Sequence, residues 1–301
     1  MNLNTSIDEK FIYKHLTNSS NPKGIIHISH GMAEHIGRYK WLIDKLNKDG
    51  YHVISLDHRG HGKRIEDGCK GYFADNNGWE LVINDQINLV KNTKKNYPYL
   101  KQFMIGHSMG SWIALNALQN GMKVDGLILS GSSKIPYRIL ILQKILLHII
   151  LLVSNKKSVS KFLDNLTLGQ YNKDFKPNRT QKDWISSDNH NVDEYIADPL
   201  CGYPVTNGLW HDLSRGLKDT FNSKFYINTN IELPIYIISG KKDPVGEHGK
   251  GVTDLYIFLN KIFKKVEIYL IDNARHEVFS EINREDNYKL TIEFIEKNLI
   301  T

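Results

Sequence analysis

Residues 103–111 read Phe-Met-Ile-Gly-His-Ser-Met-Gly-Ser, an apolar run that leads directly into a Gly-x-Ser-x-Gly motif centred on Ser108. Residues 111–119 carry apolar side chains at helical spacing, so the motif lies between a predicted strand and a predicted helix. A serine on so tight a turn needs small neighbours, which Gly106 and Gly110 provide. The N-terminal end of the helix stabilises negative charge near the hydroxyl. The stretch therefore predicts a strand–turn–helix unit that presents Ser108 as a candidate nucleophile.

Buried strands and amphipathic helices alternate on both sides of this unit. Short β-branched or aliphatic runs predict strands, and longer runs with apolar residues at 3.6 spacing predict helices. The predicted strands are 24–29, 53–56, 103–105, 127–129, 235–238 and 266–270, and the predicted helices are 39–47, 79–95, 111–119 and 286–299. This alternation predicts the α/β class, with a mostly parallel central sheet that helices flank on both faces.

The alternation is interrupted after Ser130. Residues from about 132 to 211 have helical and polar patterns without a clear buried strand, and the stretch is too long for a plain loop. We therefore predict a core in two parts, residues 1–131 and 212–301. Residues 132–211 form a helical cap, or lid, inserted between them.

The predicted cap begins with a very apolar segment, residues 135–153, which read IPYRILILQKILLHIILLV and approach the length of a membrane span. We predict that its few polar residues lie roughly on one helical face; they are Arg138, Gln143, Lys144 and His148. This pattern favours an amphipathic helix over a transmembrane span. We therefore expect a lid helix that faces lipid and makes transient membrane contact.

The composition is that of a folded globular protein, with 41% hydrophobic and 24% charged residues in a chain of 301. The net charge of +6 comes mostly from dispersed lysines, and no basic stripe with interleaved aromatic residues indicates nucleic-acid binding. Two cysteines, Cys69 and Cys201, give no disulfide framework, although a bridge between them stays open. The N-terminal residues lack a secretory pattern. We therefore expect a cytoplasmic protein that does not bind nucleic acid.

A serine hydroxyl needs a base to remove its proton, and the chain offers 13 histidines. His276 is the last of them and follows a predicted strand, where loops at the carboxyl ends of parallel strands form sites. Asp243 follows the preceding predicted strand, so the chain order is serine, acid, histidine. We predict that His276 is the general base and that Asp243 orients it. The weaker alternatives, by position, are His211, His248 and Asp272.

A loop at the end of the first predicted core strand, His30–His35 (HGMAEH), is the candidate oxyanion loop. We predict that the backbone N–H groups of Met32 and Met109, the latter directly after the candidate nucleophile, stabilise a tetrahedral intermediate. Glu34 and His35 are predicted to brace this loop rather than to react.

Two further glycine-containing segments resemble ligand-binding motifs only superficially. Residues 57–62 (DHRGHG) match no metal-ligand spacing, and we predict that they brace a loop through ion pairs. Residues 246–251 (GEHGKG) lack the spacing of a phosphate-binding loop and the hydroxyl residue that should follow its lysine. We therefore expect neither a cofactor nor a metal.

Taken together, the chain resembles the monoacylglycerol lipase and lysophospholipase branch of the α/β-hydrolases, often labelled serine aminopeptidase-type hydrolases. The four motifs that carry this resemblance are HGMAEH at 30–35, DHRGHG at 57–62, GHSMG at 106–110 and KDPVG at 242–246. Residues 198–203 (DPLCGY), with Thr206 and Asp212 downstream, are similar to the end of the cap in bacterial members. The resemblance covers roughly residues 20–131 and 210–290, whereas most of the cap carries no motif.

The resemblance implies an α/β-hydrolase fold, a catalytic triad of Ser108, Asp243 and His276, and an oxyanion hole formed by the Met32 and Met109 amides. It also implies a serine hydrolase that cleaves carboxylic esters, monoacylglycerol or lysophospholipid above all, through an acyl-enzyme on Ser108. Two alternatives stay open. One is an aminopeptidase or amidase whose cap anchors a free amine, and its candidate anchors are Asp183, Asp188, Asp193 and Glu194. The other is a non-catalytic ligand-binding scaffold of the same fold.

Overall fold

A seven-stranded sheet organises the molecule, and the computed structural model describes residues 7–299 of the chain. The strands are β1 (Ile12–His15), β2 (Gly24–Ser29), β3 (Tyr51–Leu56), β4 (Gln102–His107), β5 (Gly126–Ser130), β6 (Ile235–Gly240) and β7 (Val266–Ile271). Their order across the sheet is β1-β3-β2-β4-β5-β6-β7. β1 pairs antiparallel with β3, and every other pair is parallel. The predicted fold class is therefore confirmed.

Helices cover both faces of this sheet. They are α1 (Lys40–Lys48), α2 (Gly78–Asn96), α3 (Met109–Gln119), α4 (Tyr137–Val153), α5 (Lys161–Leu166), α6 (Leu168–Tyr171), α7 (Asn189–Ala197), α8 (Asn207–Thr220), α9 (Lys250–Leu259) and α10 (Arg284–Leu299). Side chains of α1 and α10 pack with Phe103 and Ile105 on one face, whereas α2, α3, α8 and α9 pack with Met104 on the other. Successive strand residues point to opposite faces, and helices cover both, so the inner strands β2, β4 and β5 are mostly apolar and are buried along their whole length.

The elements that were not predicted from the sequence include the edge strand β1 and the helix α9. The edge strand β1 has only four residues, with partly exposed and exposed side chains, so it carries no buried apolar run. Helix α9 begins at Lys250, directly after Gly249, whose φ of 91° ends the preceding turn. Residues 246–251, which resemble a phosphate-binding loop only superficially, instead lead into this helix.

The inserted region contains α4 to α7 and lies over the carboxyl end of the sheet. Only Leu140 and Leu147 of α4 are fully buried, while apolar side chains such as Leu142 and Leu152 are 63% and 72% exposed. The expected amphipathic pattern is thus incomplete, because the outer side of α4 is itself largely apolar. Among residues 7–299, no helix combines the length and apolar character that crossing a bilayer requires.

The predicted second boundary of the cap, between residues 211 and 212, falls inside α8. This helix is continuous and packs against α4 of the cap and α2 and α3 of the core. The division into core and cap stays a prediction, and α8 contacts both parts. β5 and β6 are neighbours in the sheet, with Leu129 opposite Ile237, although the whole inserted region separates them in sequence.

Candidate active site

Ser108 lies in the turn between β4 and α3, with φ 51° and ψ −123°. A non-glycine residue in such a conformation costs about 1–3 kcal/mol and persists only where its surroundings impose it. The Ser108 N–H donates to the Ser130 carbonyl at 2.9 Å, and its own carbonyl accepts from Ser111 N–H at 2.9 Å. A Cβ on Gly110 would lie 2.0 Å from the carbonyl oxygen of Ser29. Glycine is therefore required there, because α3 begins directly against the end of β2.

His276 and Asp243 meet at the neighbouring strand ends. Asp243 follows β6, and its Oδ2 accepts a hydrogen bond from Nδ1 of His276 at 2.9 Å. The Asp243 Oδ1 accepts from the Val245 N–H at 2.9 Å, which fixes the carboxylate in its turn. Because Nδ1 donates to Asp243, Nε2 is the ring nitrogen left to accept a proton. The carboxylate is fully buried and the imidazole is 4% exposed.

The electrostatics of this pair favour a basic imidazole. Burial by itself disfavours the imidazolium, but the charge of Asp243 and its hydrogen bond outweigh burial and raise the pKa of His276. The ring of His107 lies 4.7 Å from that of His276, and burial, together with the charge of His276, holds its pKa well below the ordinary value. His107 is thus neutral beside a histidine that gains protons readily.

The loop after β2 lies next to Ser108. Gly31 fits so closely that a Cβ there would lie 3.2 Å from the Cβ of Ser108. The Gly31 N–H donates to the carboxylate of Glu34, which also accepts from the Tyr39 hydroxyl at 2.7 Å. Glu34 thus braces the loop, as expected. Burial, followed by the charge of Glu277, raises its pKa to about 7.

Neither candidate oxyanion amide donates a hydrogen bond to another described residue. Met109 is the first residue of α3, so its amide lacks an intrahelical acceptor, and the amide of Met32 has no acceptor among residues 7–299. Both residues line the cavity that Ser108 lines. Two amide donors beside a hydroxyl on a helix N-terminus are suited to hold a developing oxyanion.

Ser108 and His276 open into one cavity of about 470 Å³ beneath the cap. One wall consists of apolar side chains from α4 and α8, with Trp112 of α3; those from the two cap-side helices include Ile139, Leu142, Leu146, Leu147, Leu213 and Leu217. The other wall carries Trp184 and Tyr195, which belong to a separate apolar cluster. The ring of Trp184 lies 5.1 Å from that of His276. A long apolar group therefore fits beside the candidate nucleophile.

The weaker alternatives from the sequence lie elsewhere. His248 is half exposed and its Nε2 lies 3.0 Å from Asp174, while Asp272 is exposed and pairs with Lys241. His211 does not line the cavity of Ser108. The four acidic residues considered as amine anchors are also absent from that cavity; they are Asp183, Asp188, Asp193 and Glu194.

Residues 57–62 brace the core, as expected. Asp57 accepts hydrogen bonds from the Tyr13 hydroxyl at 2.6 Å and from the Ile36 N–H at 2.9 Å. Arg59 forms an ion pair with Asp85 at 2.8 Å. The buried rings of His58 and His61 lie nearby, and their pKa values are lowered by burial and by neighbouring positive charge.

One group of side chains has the composition of a metal site. His35, Asp198 and Cys201 bring potential ligand atoms within 4.8 Å of one another. However, Nδ1 of His35 accepts from the Gly37 N–H, so Nε2 carries the proton that it donates to Asp198 at 2.8 Å. This group therefore fits a hydrogen-bonded link between the candidate oxyanion loop and the end of the cap better than a metal centre. Cys69 and Cys201 are both free thiols.

Several residues around the site were not found from the sequence. Glu277, directly after His276, pairs with Arg38 at 3.2 Å and accepts from Asn191 at 2.9 Å. The ring of Trp184 packs against that of His276 from the cap, tilted by 42°. These contacts join segments more than 80 residues apart, and no local pattern in the sequence marks them.

Comparisons with known proteins extend over the core and the cap alike. The chain matches the family model described as serine aminopeptidase, S33 (Hydrolase_4), over residues 20–283. It is 31% identical to human monoglyceride lipase over 276 residues, which are 87% of this chain and 78% of the human protein. It is 26% identical to a monoglyceride lipase homolog of monkeypox virus over 282 residues, 92% of this chain and 90% of the viral one. The structure of a thermostable carboxyl esterase from Bacillus coagulans in complex with glycerol superposes with a TM-score of 0.87 at 28% identity, covering 96% of this chain and 94% of that chain.

Proposed function

Because the chain belongs to the serine aminopeptidase S33 family of α/β-hydrolases, we propose that it hydrolyses monoacyl glycerolipids, monoacylglycerol or lysophospholipid, through an acyl-enzyme on Ser108. The chain is a carboxylic ester hydrolase. The observation that carries the finer proposal is the apolar cavity of about 470 Å³ into which both Ser108 and His276 open.

In the proposed acylation step, Nε2 of His276 removes the proton of Ser108 as Oγ attacks the ester carbonyl. The tetrahedral oxyanion accepts hydrogen bonds from the Met32 and Met109 amides, each worth about 3 kcal/mol to the transition state. Asp243 stabilises the imidazolium that forms. Collapse of the intermediate transfers the proton from His276 to the leaving glycerol oxygen and leaves the acyl group on Ser108.

In the proposed deacylation step, a water molecule takes the place of the alcohol. His276 removes its proton, and the water oxygen attacks the acyl carbonyl in the same oxyanion hole. The second intermediate releases the fatty acid and returns the proton to Ser108. His107, neutral and packed against His276, restricts the ring to this position.

The substrate class follows from the cavity walls. The side chains of α4 and α8 beside Ser108 offer apolar surface along which an acyl chain loses contact with water. Short polar esters leave most of that surface uncovered. Longer acyl chains therefore gain binding free energy of about 0.8 kcal/mol for each methylene that becomes buried.

We also propose that the cap touches the lipid from which the substrate comes. The outer side of α4 exposes Ile145, Ile149 and Leu152, each by more than half of its surface. An apolar stripe on a surface helix partitions into the boundary of a lipid aggregate. Such contact brings the mouth of the cavity to its substrate.

The test compares kcat/KM for 1-dodecanoylglycerol and for a four-carbon ester of glycerol, with Ser108→Ala as the inactive control. We expect a preference for the longer chain of at least about 100-fold and a loss of about 10⁵-fold or more in the variant. A preference for the four-carbon ester contradicts the lipid proposal but retains the esterase. Cleavage of an amino-acid anilide in preference to both esters favours the amidase instead.

A fluorophosphonate probe separates catalysis from mere binding. Covalent labelling of the wild-type chain, and its absence in Ser108→Ala, is expected from an activated serine. An unlabelled wild-type chain contradicts the acyl-enzyme and favours the non-catalytic scaffold.

A further inference from the structure

The cavity of Ser108 is lined by a lysine that has no counter-charge in the described part of the chain. Lys182 belongs to the cap segment between α6 and α7, is partly buried, and borders the same cavity as Ser108 and His276. Among residues 7–299, its Nζ forms neither a hydrogen bond nor an ion pair. The nearest acidic influence, Asp164 of α5, lies outside ion-pair distance. A cation in a largely apolar cavity is costly unless something pairs with it.

The other charged groups of this cavity already have partners. Glu34 is held by the Gly31 N–H and the Tyr39 hydroxyl, and Glu277 is held by Arg38 and Asn191. Neither carboxylate is within 4.0 Å of Lys182. The ammonium of Lys182 is therefore the charge in the cavity that a ligand can still neutralise.

The position of Lys182 is fixed relative to the candidate catalytic histidine. Its N–H donates to Thr180 Oγ1 at 3.0 Å, and its carbonyl accepts from the Ile185 N–H at 3.1 Å. The Ile185 carbonyl in turn accepts from the N–H of Glu277, next to His276, at 2.8 Å. The turn that carries Lys182 is thus tied by backbone hydrogen bonds to the histidine loop, which preorganises the cation.

Lys182 lies beside the second wall of the cavity, the one that carries Trp184 and Tyr195. Its Cε lies 3.6 Å from the point that a Cβ on Gly202 would occupy, beside the ring of Tyr195. This wall belongs to the cluster with Trp184 and Tyr195, whereas α4 and α8 belong to the main core cluster. Both clusters are apolar, and the charge of Lys182 distinguishes the second side of the cavity. An acyl chain that packs along α4 and α8 leaves the side of Lys182 for the alcohol part of the ester.

We propose that Lys182 forms an anion-binding subsite that selects acyl esters whose alcohol part carries a phosphate over esters of neutral glycerol. This inference rests on the proposed function, since it specifies the substrate of the same site. An ammonium that pairs with phosphate oxygens in a water-poor cavity gains a charge-assisted hydrogen bond. A neutral glycerol group leaves the same ammonium unpaired.

The first test measures the ratio of kcat/KM for 1-dodecanoylglycerol 3-phosphate to that for 1-dodecanoylglycerol, below the micelle concentration of each. We expect Lys182→Met to lower this ratio at least about ten-fold, equivalent to about 1.4 kcal/mol. Because Lys182→Arg keeps the positive charge, we expect this variant to retain most of the wild-type ratio. Lys173→Met, which removes an exposed lysine of the same segment, leaves the ratio unchanged.

The second test measures binding without chemistry, in the Ser108→Ala background. Calorimetry gives the Kd of dodecyl phosphate and of 1-O-dodecylglycerol. We expect the added Lys182→Met change to weaken dodecyl phosphate at least about ten-fold more than the neutral ether. This readout decides the role of Lys182 even if the wild-type chain hydrolyses neither ester, a result that contradicts the proposed function alone.

Three outcomes overturn the inference. One is a ratio that Lys182→Met does not change, and another is an equal loss for both esters, which indicates a structural role. The third is a loss of affinity for dodecanoate but not for dodecyl phosphate, which assigns the lysine to the released fatty acid instead.

Discussion

The carboxyl end of the sheet and the cap above it differ in how completely their side chains are satisfied. At the sheet end, Ser108, Asp243 and His276 are held by backbone hydrogen bonds and a buried ion pair. The cap exposes apolar side chains along α4, and its Lys182 ammonium has no partner within residues 7–299. The difference supports the proposed function, in which the sheet end is preorganised for chemistry and the cap keeps unsatisfied groups that a ligand covers.

The largest expected effect is at the buried pair of the sheet end. Asp243→Asn keeps the shape of the side chain but removes the charge that sets the tautomer and raises the pKa of His276. We expect kcat/KM to fall about 10⁴-fold. In the wild-type chain, the base must be unprotonated, so the acidic limb of kcat/KM against pH should lie above the ordinary histidine value of 6.5. An acidic limb below 6.5 contradicts this account of the pair.

Acid should unfold the chain from within the core rather than from the cap. Burial lowers the pKa of His30 to about 4 and that of His61 to about 3, and that of His58 lies well below its ordinary value. Below pH 6.5 these histidines therefore bind protons in the unfolded chain but not in the folded chain. The free energy of unfolding consequently falls as the pH falls. From pH 6.5 to 5.5 the three histidines together remove about 3 kcal/mol of unfolding free energy.

A single variant sharpens this prediction. His61→Asn retains a donor toward the Arg59 carbonyl, which Nδ1 of His61 contacts at 2.9 Å, but it cannot titrate. The slope of unfolding free energy against pH is measured by denaturant titrations between pH 5 and 6.5. We expect it to decrease by the equivalent of about one proton taken up on unfolding. A slope equal to that of the wild type would falsify the assignment of a lowered pKa to His61 in the folded chain.

Gly31→Ala tests the close fit of the candidate oxyanion loop. The new Cβ would lie 2.8 Å from Glu34 Oε1 and 3.2 Å from the Cβ of Ser108, so the loop and its Met32 amide must shift. We expect kcat to fall about 10- to 100-fold with a smaller change in KM, because the amide acts mainly in the transition state. Gly121→Ala, which introduces a Cβ with no neighbour within 4 Å but at a positive φ, controls for general destabilisation. An equal loss of kcat in both variants argues against the oxyanion role.

The smallest effect is expected on the cap. Replacing Ile145 and Ile149 together with glutamine removes two exposed apolar side chains one helical turn apart. Sedimentation with phosphatidylcholine vesicles should show binding about five-fold weaker, while kcat/KM for a short soluble ester stays unchanged. Unchanged vesicle binding contradicts membrane contact through α4, and a loss on the soluble ester shows that the pair supports the cavity instead.

The sequence predicted the sheet better than the surroundings of the site. Apolar runs such as those of β4 and β5 are continuous because both faces of the strand are covered, so they are visible without a structure. Ser108, Asp243 and His276 follow such strands, and their positions along the chain therefore predict that they meet. β1 lacks such a run because an edge strand is only partly buried.

The cap could not be predicted to the same depth. Trp184 reaches His276, and Arg38 reaches Glu277, through packing between distant segments. Lys182 resembles any surface lysine in the sequence, and only the fold shows that it borders the cavity. Contacts of this kind depend on tertiary arrangement, which neither periodicity nor composition encodes.

The adjacency of β5 and β6 has a consequence for how such a chain changes over time. Residues 131–234, which include the predicted cap, leave the sheet after β5 and return at β6, where the two strands pair with Leu129 opposite Ile237. Doubling the length of a flexible loop adds only about 0.6 kcal/mol of closure entropy. An ancestor could therefore lengthen, shorten or replace the cap while the strands on either side continued to pair. New substrates become accessible by exchange of the insertion, without any need to reinvent the reaction beneath it.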